Sequence, residues 1–436
     1  MAGVEYKVGN GVRFKLWRDP WHLDDPLIRN YPRGPAVTGL PEDKNNVEYQ
    51  TWTLFPRRST LPLPFPPPKW LHRKTPPAPP SETPLHHPPS STSPSTRTAA
   101  ALRRTSDGFI IFSTDPFVQT IRKDFSKDGR GLGIGVVEMI FGANVFAVVG
   151  GGIAPALSRK KIMILDDHLG QFTGEISFRS EVKSVRLRRD RIVAVTMQKV
   201  SVYDLPGFRS LHQIETQPNP KGLCEISRSG PMVLACLGLN KGQVRLEHYE
   251  VSRSRLITAH DSAVVCLALT SDGRLLATAS SKGTLIRVFN TLDGVLLQEL
   301  RRGSERAEIH SLSFSSAAEW LAASSDKGTV HVFSVNTDSG PTGTNQWQDA
   351  GRNNTSPSRL SFVKGMLPKY FSSEWSRAQF RVPEDIQHIV AFGHRRNTVL
   401  IIGFDGTFYR CKFDPMAGGE MTQMECRNFL EPELNS

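Results

Sequence analysis

The chain has 436 residues, of which 38% are hydrophobic and 22% charged, and this length suits one large repeat domain with appendages or two to three ordinary domains. Its formal net charge of +12 lies mostly in residues 1–104, where 15 basic and 8 acidic residues give +7. The rest of the chain has 39 basic and 34 acidic residues, which give +5. This main part of the chain is therefore only mildly basic and does not indicate a nucleic-acid-binding domain. The five cysteines have neither paired nor zinc-ligand spacing, which favours buried thiols in a reducing compartment. No apolar core follows Met1, which argues against a signal peptide.

The first segment carries an unusual motif. Residues 8–32 resemble a segment near the C-terminal end of plant non-LTR retroelement reverse transcriptases, through Val8-Gly9-Asn10-Gly11, Phe14, Trp17, Asp19, Trp21 and Tyr31-Pro32. No polymerase domain accompanies this motif. We therefore interpret residues 1–55 as an extension that is either an exon of mobile-element origin or the product of a gene-model fusion.

A proline-rich segment follows. Residues 56–94 contain 14 of the 31 prolines, mixed with serine and threonine. Such a composition cannot bury enough apolar surface to fold. We predict that residues 56–104 form a disordered linker and that the folded domain spans residues 105–430.

From Thr105 onward the chain repeats itself. Residues 275–289 resemble residues 320–333, and the Lys-Gly-Thr turns at Gly283 and Gly328 are 45 residues apart, close to the period of WD40-type blades. Asp405-Gly406-Thr407 repeats the turn after one period plus a polar insertion. The uncharged run from Phe141 to Leu157 is too short and too glycine-rich for a comfortable membrane span, and we predict a buried strand followed by a turn there.

Weaker units cover residues 136–178, 182–214 and 222–257, and a partial unit covers residues 108–125. Each full unit reads as two strand hairpins, as a four-stranded blade requires. We predict an all-β fold, a seven-bladed β-propeller. Blade one lacks strands on its N-terminal side, so the sequence alone leaves the closure of the ring open.

Two adjacent arginines, Arg301 and Arg302, end one of these repeats. Successive side chains of a strand point to opposite faces, so the pair predicts two separate anion sites, one on each side of the strand. Guanidinium groups match phosphate oxygens in geometry and charge. The alternative is a solvated edge strand whose charges oppose aggregation.

The surrounding motifs resemble a known family. Leu300-Arg301-Arg302-Gly303 between two Lys-Gly-Thr blades is similar to the signature of the PROPPINs, autophagy-related β-propellers that bind phosphoinositides. Residues 178–192 and 367–375 resemble the same family. The resemblance implies a first lipid site at His260, Thr278, Ser280, Gly283, Thr284, Arg287 and Arg301. It implies a second at Arg302, Ser325, Thr329 and His331.

The residue types support this assignment, although each has an ordinary explanation by itself. Hydroxyl groups can donate to phosphate oxygens, and a histidine gains charge when an anion raises its pKa. Ser280 and Thr284 alone would more often make turn hydrogen bonds. His260 alone could equally be a structural histidine of a WD-type propeller, and the basic run Arg186, Arg188, Arg189 and Arg191 is more simply a solvated blade edge than a binding patch.

Residues 336–373 interrupt the repeat. Their second half has helix-like apolar spacing, which suits an interfacial amphipathic segment, although Pro368 would kink a helix. The resemblance implies a membrane-insertion loop, here Leu360, Phe362, Val363, Met366, Leu367 and Phe371. The alternative is a loop end that packs back on the propeller.

No catalytic arrangement or cofactor site is recognisable, so we expect a protein that is not an enzyme. The resemblance implies a cytoplasmic effector in autophagosome formation. It would be recruited peripherally to pre-autophagosomal, endosomal or vacuolar membranes by PtdIns3P and PtdIns(3,5)P2, with autophagy proteins as further partners. Alternatives are a WD40-like interaction scaffold with degenerate lipid sites and, less favoured, a nucleic-acid binder that uses the basic N-terminal segment.

Overall fold

The computed structural model describes residues 15–17, 100–104, 108–125, 133–140, 145–151, 157–205, 207–336 and 373–429. Every regular element in these ranges is a β-strand, and the strands form seven sheets of four or five strands. The first strands of the second to seventh sheets contact one another in chain order, and the first sheet contacts the second. The all-β seven-bladed propeller is therefore confirmed.

The first four blades have four strands each. Blade one contains β1 (Lys15–Trp17), β2 (Ala100–Arg104), β3 (Gly108–Thr114) and β4 (Phe117–Asp124), and blade two contains β5 (Ile134–Ile140), β6 (Val145–Gly150), β7 (Lys161–Asp166) and β8 (Gln171–Ser177). Blade three contains β9 (Ser184–Leu187), β10 (Arg191–Val195), β11 (Lys199–Asp204) and β12 (Ser210–Glu215). Blade four contains β13 (Cys224–Ile226), β14 (Val233–Leu237), β15 (Gln243–His248) and β16 (Arg253–Thr258).

Two of the last three blades carry an additional short edge strand. Blade five contains β17 (Val264–Leu269), β18 (Leu275–Ser280), β19 (Leu285–Asn290), β20 (Leu296–Arg301) and the edge strand β24 (Glu374–Trp375). Blade six contains β21 (Ile309–Phe314), β22 (Trp320–Ser325), β23 (Thr329–Ser334), β25 (Ala378–Arg381) and the edge strand β29 (Gly419–Glu420). Blade seven contains β26 (His388–Phe392), β27 (Thr398–Gly403), β28 (Thr407–Lys412) and β30 (Thr422–Asn428).

Burial falls from the axis to the rim of each blade, as blade four illustrates. Every residue of β13 and β14 is buried, β15 alternates between half-buried and buried at its start, and β16 is mostly exposed. Inner strands are covered on both faces and read as continuous apolar runs, whereas an outer strand has water beside it. Six apolar clusters lie between neighbouring blades, so the core is a ring of blade interfaces.

Blade one is complete in the structure, which corrects two expectations. β2 pairs with β3 from Ala100↔Ser113 onward, and β1 pairs with β2, so the sheet begins before Thr105. Residues 100–104 had been assigned to the linker, but the prolines stop at Pro94 and this stretch keeps every N–H donor that a ladder needs. The other residues between 18 and 99 lie outside the described residues.

The ring closes between blades seven and one through side chains. The rings of Phe117 and Phe408 stack with centroids 4.3 Å apart. Asp115, in the β3–β4 turn, forms ion pairs with Arg395 at 3.1 Å and Arg410 at 3.5 Å. Arg410 also donates to the carbonyl oxygen of Thr114 at 2.6 Å. These contacts settle the closure that the sequence left open.

The structure also tests what the sequence predicted for the cysteines and for the basic run that begins at Arg186. Four cysteines are buried as expected, but Cys426 is exposed because β30 is the outer strand of its blade. The solvated edge predicted for the basic run is wrong at Arg186, which is 2% exposed and pairs with Glu225 of blade four at 2.9 Å. Arg188 likewise donates to the carbonyl oxygens of Ser227 and Gly230, so this run joins blades three and four.

Candidate functional site

The two adjacent arginines lie at the end of β20 and have different neighbours. Arg301 donates from Nε to Ser373 Oγ at 2.8 Å. Arg302 donates from Nε to the carbonyl oxygen of Gly283 at 3.1 Å and from Nη2 to that of Glu305. Both side chains are buried. Because strand side chains alternate, the pair reaches two different grooves, one beside blade four and one beside blade six.

The groove beside blade four contains most of the predicted first site. Thr278, Arg287 and Glu299 lie opposite one another on β18, β19 and β20. Arg287 pairs with Glu299 at 2.9 Å and donates to the carbonyl oxygen of Ala259 at 2.7 Å. Thr278 Oγ1 lies 2.9 Å from Nε2 of His260. These four side chains therefore already satisfy much of one another's hydrogen bonding.

Ser280 and Arg301 lie one alternation further along the same face. Ser280 is two residues after Thr278, and Arg301 is two residues after Glu299, so both point toward blade four. Both are buried, and the Ser373 hydroxyl lies on the rim side of Arg301. The structure thus places Arg301 and Ser280 on the same face as Thr278 and Arg287.

The turn between β18 and β19 brings the remaining first-site residues close to the arginines. Gly283 has a φ of +66°, and a Cβ there would lie 1.8 Å from the carbonyl oxygen of Ala307. Only glycine fits this close approach without strain. The next residue, Thr284, accepts a hydrogen bond from the Arg302 backbone N–H at 3.0 Å. This turn therefore lies between the two grooves and contacts the Arg302 side chain directly.

The groove beside blade six contains the predicted second site. The Arg302 guanidinium is held by backbone carbonyl oxygens and has no ion pair with a carboxylate among the described residues. Burial lowers the pKa of Arg302, and the nearby charges of Asp326 and Glu305 only partly offset this effect. A buried guanidinium that lacks a paired carboxylate favours an anion beside it.

His331 is the second polar group of this groove. Its Nδ1 lies 3.0 Å from Ser376 Oγ, and Nε2 makes no hydrogen bond to the described residues. Ser325 and Thr329 alternate with His331 on the same face of blade six. Ser325 is buried and Thr329 half-buried. The arrangement offers one cation, one imidazole nitrogen and two hydroxyl groups to a ligand.

Burial also keeps several histidines neutral. It lowers the pKa of each of them to about 4, and nearby arginines contribute for two: Arg287 for His260 and Arg302 for His331. The four histidines with this lowered pKa are His260, His310, His331 and His388. The two site histidines are therefore neutral donors or acceptors at pH 7, and an anion bound beside either would raise its pKa.

Several residues of these grooves were missed by the sequence analysis. Glu299 neutralises Arg287, and Ser373 and Ser376 contact Arg301 and His331. Strand alternation could have indicated Glu299, which shares a face with Arg301 two residues later. Ser373 lies in residues 367–375, one of the segments that resemble the family, but its position depends on a chain reversal that the sequence does not specify.

A cavity of about 370 Å³ lies beside the β18–β19 turn and includes none of the predicted site residues. It is lined by Val265, Ser281, Arg306, Ala307, Glu308 and Asp326. The six loop residues predicted to enter membranes, from Leu360 to Phe371, lie outside the described residues. No helix in the described ranges has the length and apolar character to cross a bilayer.

Comparison with known proteins decides the family. The PROPPIN family model matches residues 99–430. The chain belongs to the PROPPIN family. Among its relatives, autophagy-related protein 18e of Arabidopsis thaliana is 43% identical over 329 residues, which cover 75% of this chain and 84% of that protein. Autophagy-related protein 18 of Dictyostelium discoideum is 32% identical over 346 residues, covering 76% and 91%.

Solved PROPPIN structures have the same fold. Hsv2 of Kluyveromyces lactis is similar with a TM-score of 0.59 and 23% identity, over 76% of this chain and 95% of that one. KlAtg21, solved in complex with a coiled coil of AgAtg16, gives a TM-score of 0.61 with 24% identity, over 76% and 96%. PROPPINs are non-enzymatic β-propeller effectors, so this chain is an autophagy-related propeller and not an enzyme.

Proposed function

We propose that this PROPPIN is a peripheral membrane effector in autophagosome formation that binds PtdIns3P and PtdIns(3,5)P2 through the two grooves beside β20. The observation that carries the proposal is Arg302, a buried guanidinium held by carbonyl oxygens in a groove that also contains His331. A phosphate group would supply the anionic partner that the described residues do not provide.

The proposed first site uses Arg301 as its main cation. Ser280, Thr284 and the Gly283 turn lie beside it, while Arg287, His260 and Thr278 form the hydrogen-bonded wall behind it. Because Glu299 already neutralises Arg287, a headgroup in this groove gains less from Arg287 than from Arg301. We therefore expect the first site to bind a headgroup more weakly than the second.

The loop supplies the apolar part of the proposed membrane contact. Leu360, Phe362, Val363, Met366, Leu367 and Phe371 would bury apolar surface in the bilayer, which stabilises attachment by about 25 cal/mol per Å². Replacing Phe362, Met366 and Phe371 together by Asp should leave binding of a soluble headgroup intact and reduce sedimentation with vesicles. Equal sedimentation of this variant and the parent would mean that the loop does not insert.

The lipid sites and the family together support a location. We propose that the protein is cytoplasmic and is recruited to pre-autophagosomal, endosomal or vacuolar membranes. Autophagy proteins are the proposed partners there, since a related propeller was solved with a coiled coil of one such protein. Two weak sites on one rigid rim can raise avidity by roughly 10²–10⁴, which suits reversible recruitment.

Vesicle sedimentation tests the proposal. The full chain is incubated with phosphatidylcholine vesicles that contain PtdIns3P, PtdIns(3,5)P2 or neither, and with vesicles of equal negative charge that contain phosphatidylserine. Binding that requires a 3-phosphoinositide supports the proposal. Equal sedimentation with phosphatidylserine vesicles would indicate charge attraction alone.

A second candidate function is favoured by one observation. The first site is partly occupied by its own residues, through the Arg287–Glu299 ion pair and the Arg301–Ser373 hydrogen bond. A propeller whose lipid sites had degenerated into such internal contacts would act as a protein-interaction scaffold. That reading predicts no sedimentation with any 3-phosphoinositide vesicle, so the same assay separates the two functions.

A further inference from the structure

A short segment after the long loop of blade six returns to the edge of blade five. We call residues 373–376 the strap. Its strand β24 pairs in parallel with the end of β20, with Glu374 opposite Leu300 and Trp375 opposite Arg301. The chain then continues into β25 of blade six. The strap therefore crosses from the rim of blade five to blade six, between the two proposed lipid sites.

One hydroxyl group at each end of the strap contacts one proposed site. Ser373 Oγ accepts the hydrogen bond from Arg301 Nε at 2.8 Å, beside the first site. Ser376 Oγ lies 3.0 Å from His331 Nδ1, in the second site. Ser373, Arg301 and His331 are all buried, so these bonds lie within the packed structure.

Gln298 fixes the strap to the other end of the same loop. Its side-chain nitrogen donates to Glu374 Oε2 at 2.7 Å and to the carbonyl oxygen of Ser334 at 3.1 Å. Its side-chain oxygen accepts from the backbone N–H of Asn336 at 3.3 Å. Gln298 is itself buried on β20. One side chain of blade five thus holds both the segment that enters the loop and the segment that leaves it.

We infer that the strap is a wall shared by the two proposed lipid sites, and that Ser373 and Ser376 are positioning residues that fix Arg301 and His331 for the phosphate groups. This inference rests on the proposed headgroup binding. It adds two binding determinants, and a physical link between the sites, to the residues carried over from the family.

The geometry explains how a neutral hydroxyl can serve each site. The guanidinium group is planar, so donation from Nε to Ser373 sets the direction in which the two Nη groups of Arg301 point. The two imidazole nitrogens point apart, so the contact of Nδ1 with Ser376 turns Nε2 of His331 into the groove. Loss of either hydroxyl leaves the binding residue in place but removes one contact that fixes its orientation.

The test compares Ser373→Ala, Ser376→Ala and the double variant with the parent. Calorimetry with inositol 1,3-bisphosphate measures the headgroup term, and sedimentation with PtdIns3P vesicles measures membrane attachment. Each single variant should weaken headgroup binding on the order of 3–10-fold, the range expected for the loss of one hydrogen bond that orients a binding residue. Ser254→Ala is the matched control, since this outer-strand serine of blade four bonds to Glu247 at 2.8 Å, outside both sites.

Two further variants separate positioning from general loss of structure. Ser376→Thr keeps the hydroxyl group and should restore binding, and Ser373→Ala should cost nothing further once Arg301→Thr is present. If the parent binds and both serine variants bind equally well at unchanged thermal stability, the inference is wrong while the proposed function stands. If the parent binds neither probe, the proposed function fails and the inference falls with it.

Discussion

Replacing both arginines, Arg301→Thr and Arg302→Thr, tests the proposed lipid sites most directly. Threonine is β-branched and suits a strand, so the backbone ladder of β20 should survive. The substitution removes both guanidinium groups that reach the two grooves. We expect the folded double variant to lose binding to PtdIns3P vesicles.

The expected magnitude follows from the bonds that each arginine can make. A charge-assisted hydrogen bond contributes about 1.5–3 kcal/mol, which corresponds to roughly 10- to 100-fold in affinity. Each single variant should therefore weaken soluble headgroup binding within that range. Arg302→Thr should have the larger effect, because Arg302 has no carboxylate partner among the described residues whereas the first site contains the Arg287–Glu299 pair.

Vesicles should amplify the difference. Because two linked sites raise avidity by roughly 10²–10⁴, loss of one site should reduce vesicle binding more than it reduces soluble headgroup binding. The matched control is Arg274→Thr on the same blade, since the Arg274 side chain is 85% exposed and pairs with Asp272, outside both grooves. Circular dichroism and thermal unfolding establish that each variant is folded.

One result would refute the reasoning. If the folded double variant sediments with PtdIns3P vesicles as the parent does, then neither groove binds the lipid and the anion argument from Arg302 is wrong. High salt should weaken parental binding, because screening acts on the headgroup contacts. Attachment that is insensitive both to salt and to the double substitution would point to the apolar loop alone.

Three further outcomes concern stability. Gly283→Ala should destabilise the fold by more than Gly170→Ala does. Both glycines have positive φ, but of the two only Gly283 would bring a Cβ against a backbone oxygen, at 1.8 Å. Equal midpoints of thermal unfolding for the two variants would contradict this steric argument. Asp115→Ala should lower the midpoint of thermal unfolding by several degrees, because Asp115 joins blades one and seven. Asp124→Ala, which removes an exposed ion pair with Arg122, should leave this midpoint unchanged. Acidification from pH 6.5 to 5 should lower the free energy of unfolding by up to about 2 kcal/mol for each of the four histidines whose pKa is lowered to about 4, because they take up protons in the unfolded chain and not in the folded chain. Denaturant unfolding at both pH values checks this, and equal stability would count against it.

The fold was predictable because the repeat signal is local. The Lys-Gly-Thr turns at Gly283 and Gly328 occupy equivalent positions in blades five and six, and both glycines have positive φ. Alternation and turn chemistry specify such hairpins within a few residues. Blade one could not be completed in the same way, since β1 and β2 are separated by more than eighty residues and their pairing is a tertiary contact.

The residue types of the candidate sites could be predicted from the sequence, but the ion pairs and hydrogen bonds that these residues make could not. Both grooves contain an arginine, a histidine and hydroxyl groups, so the sequence presents them as equivalent. Their difference depends on Glu299, which neutralises Arg287, and on the strap, which returns from a long loop to contact Arg301. Neither contact follows from spacing alone, because each needs the register of the sheet or a chain reversal.

The alternation of β20 connects these observations. Glu299 and Arg301 face blade four, Leu300 packs into the apolar cluster shared with blades six and seven, and Arg302 follows it to that side. A shift of register by one residue would turn Glu299 and Arg301 toward the apolar cluster and move Leu300 into the polar groove beside blade four. The buried Leu300 therefore holds the two arginines in their separate grooves, and the same strand that stabilises the propeller also determines where the two proposed anion sites lie.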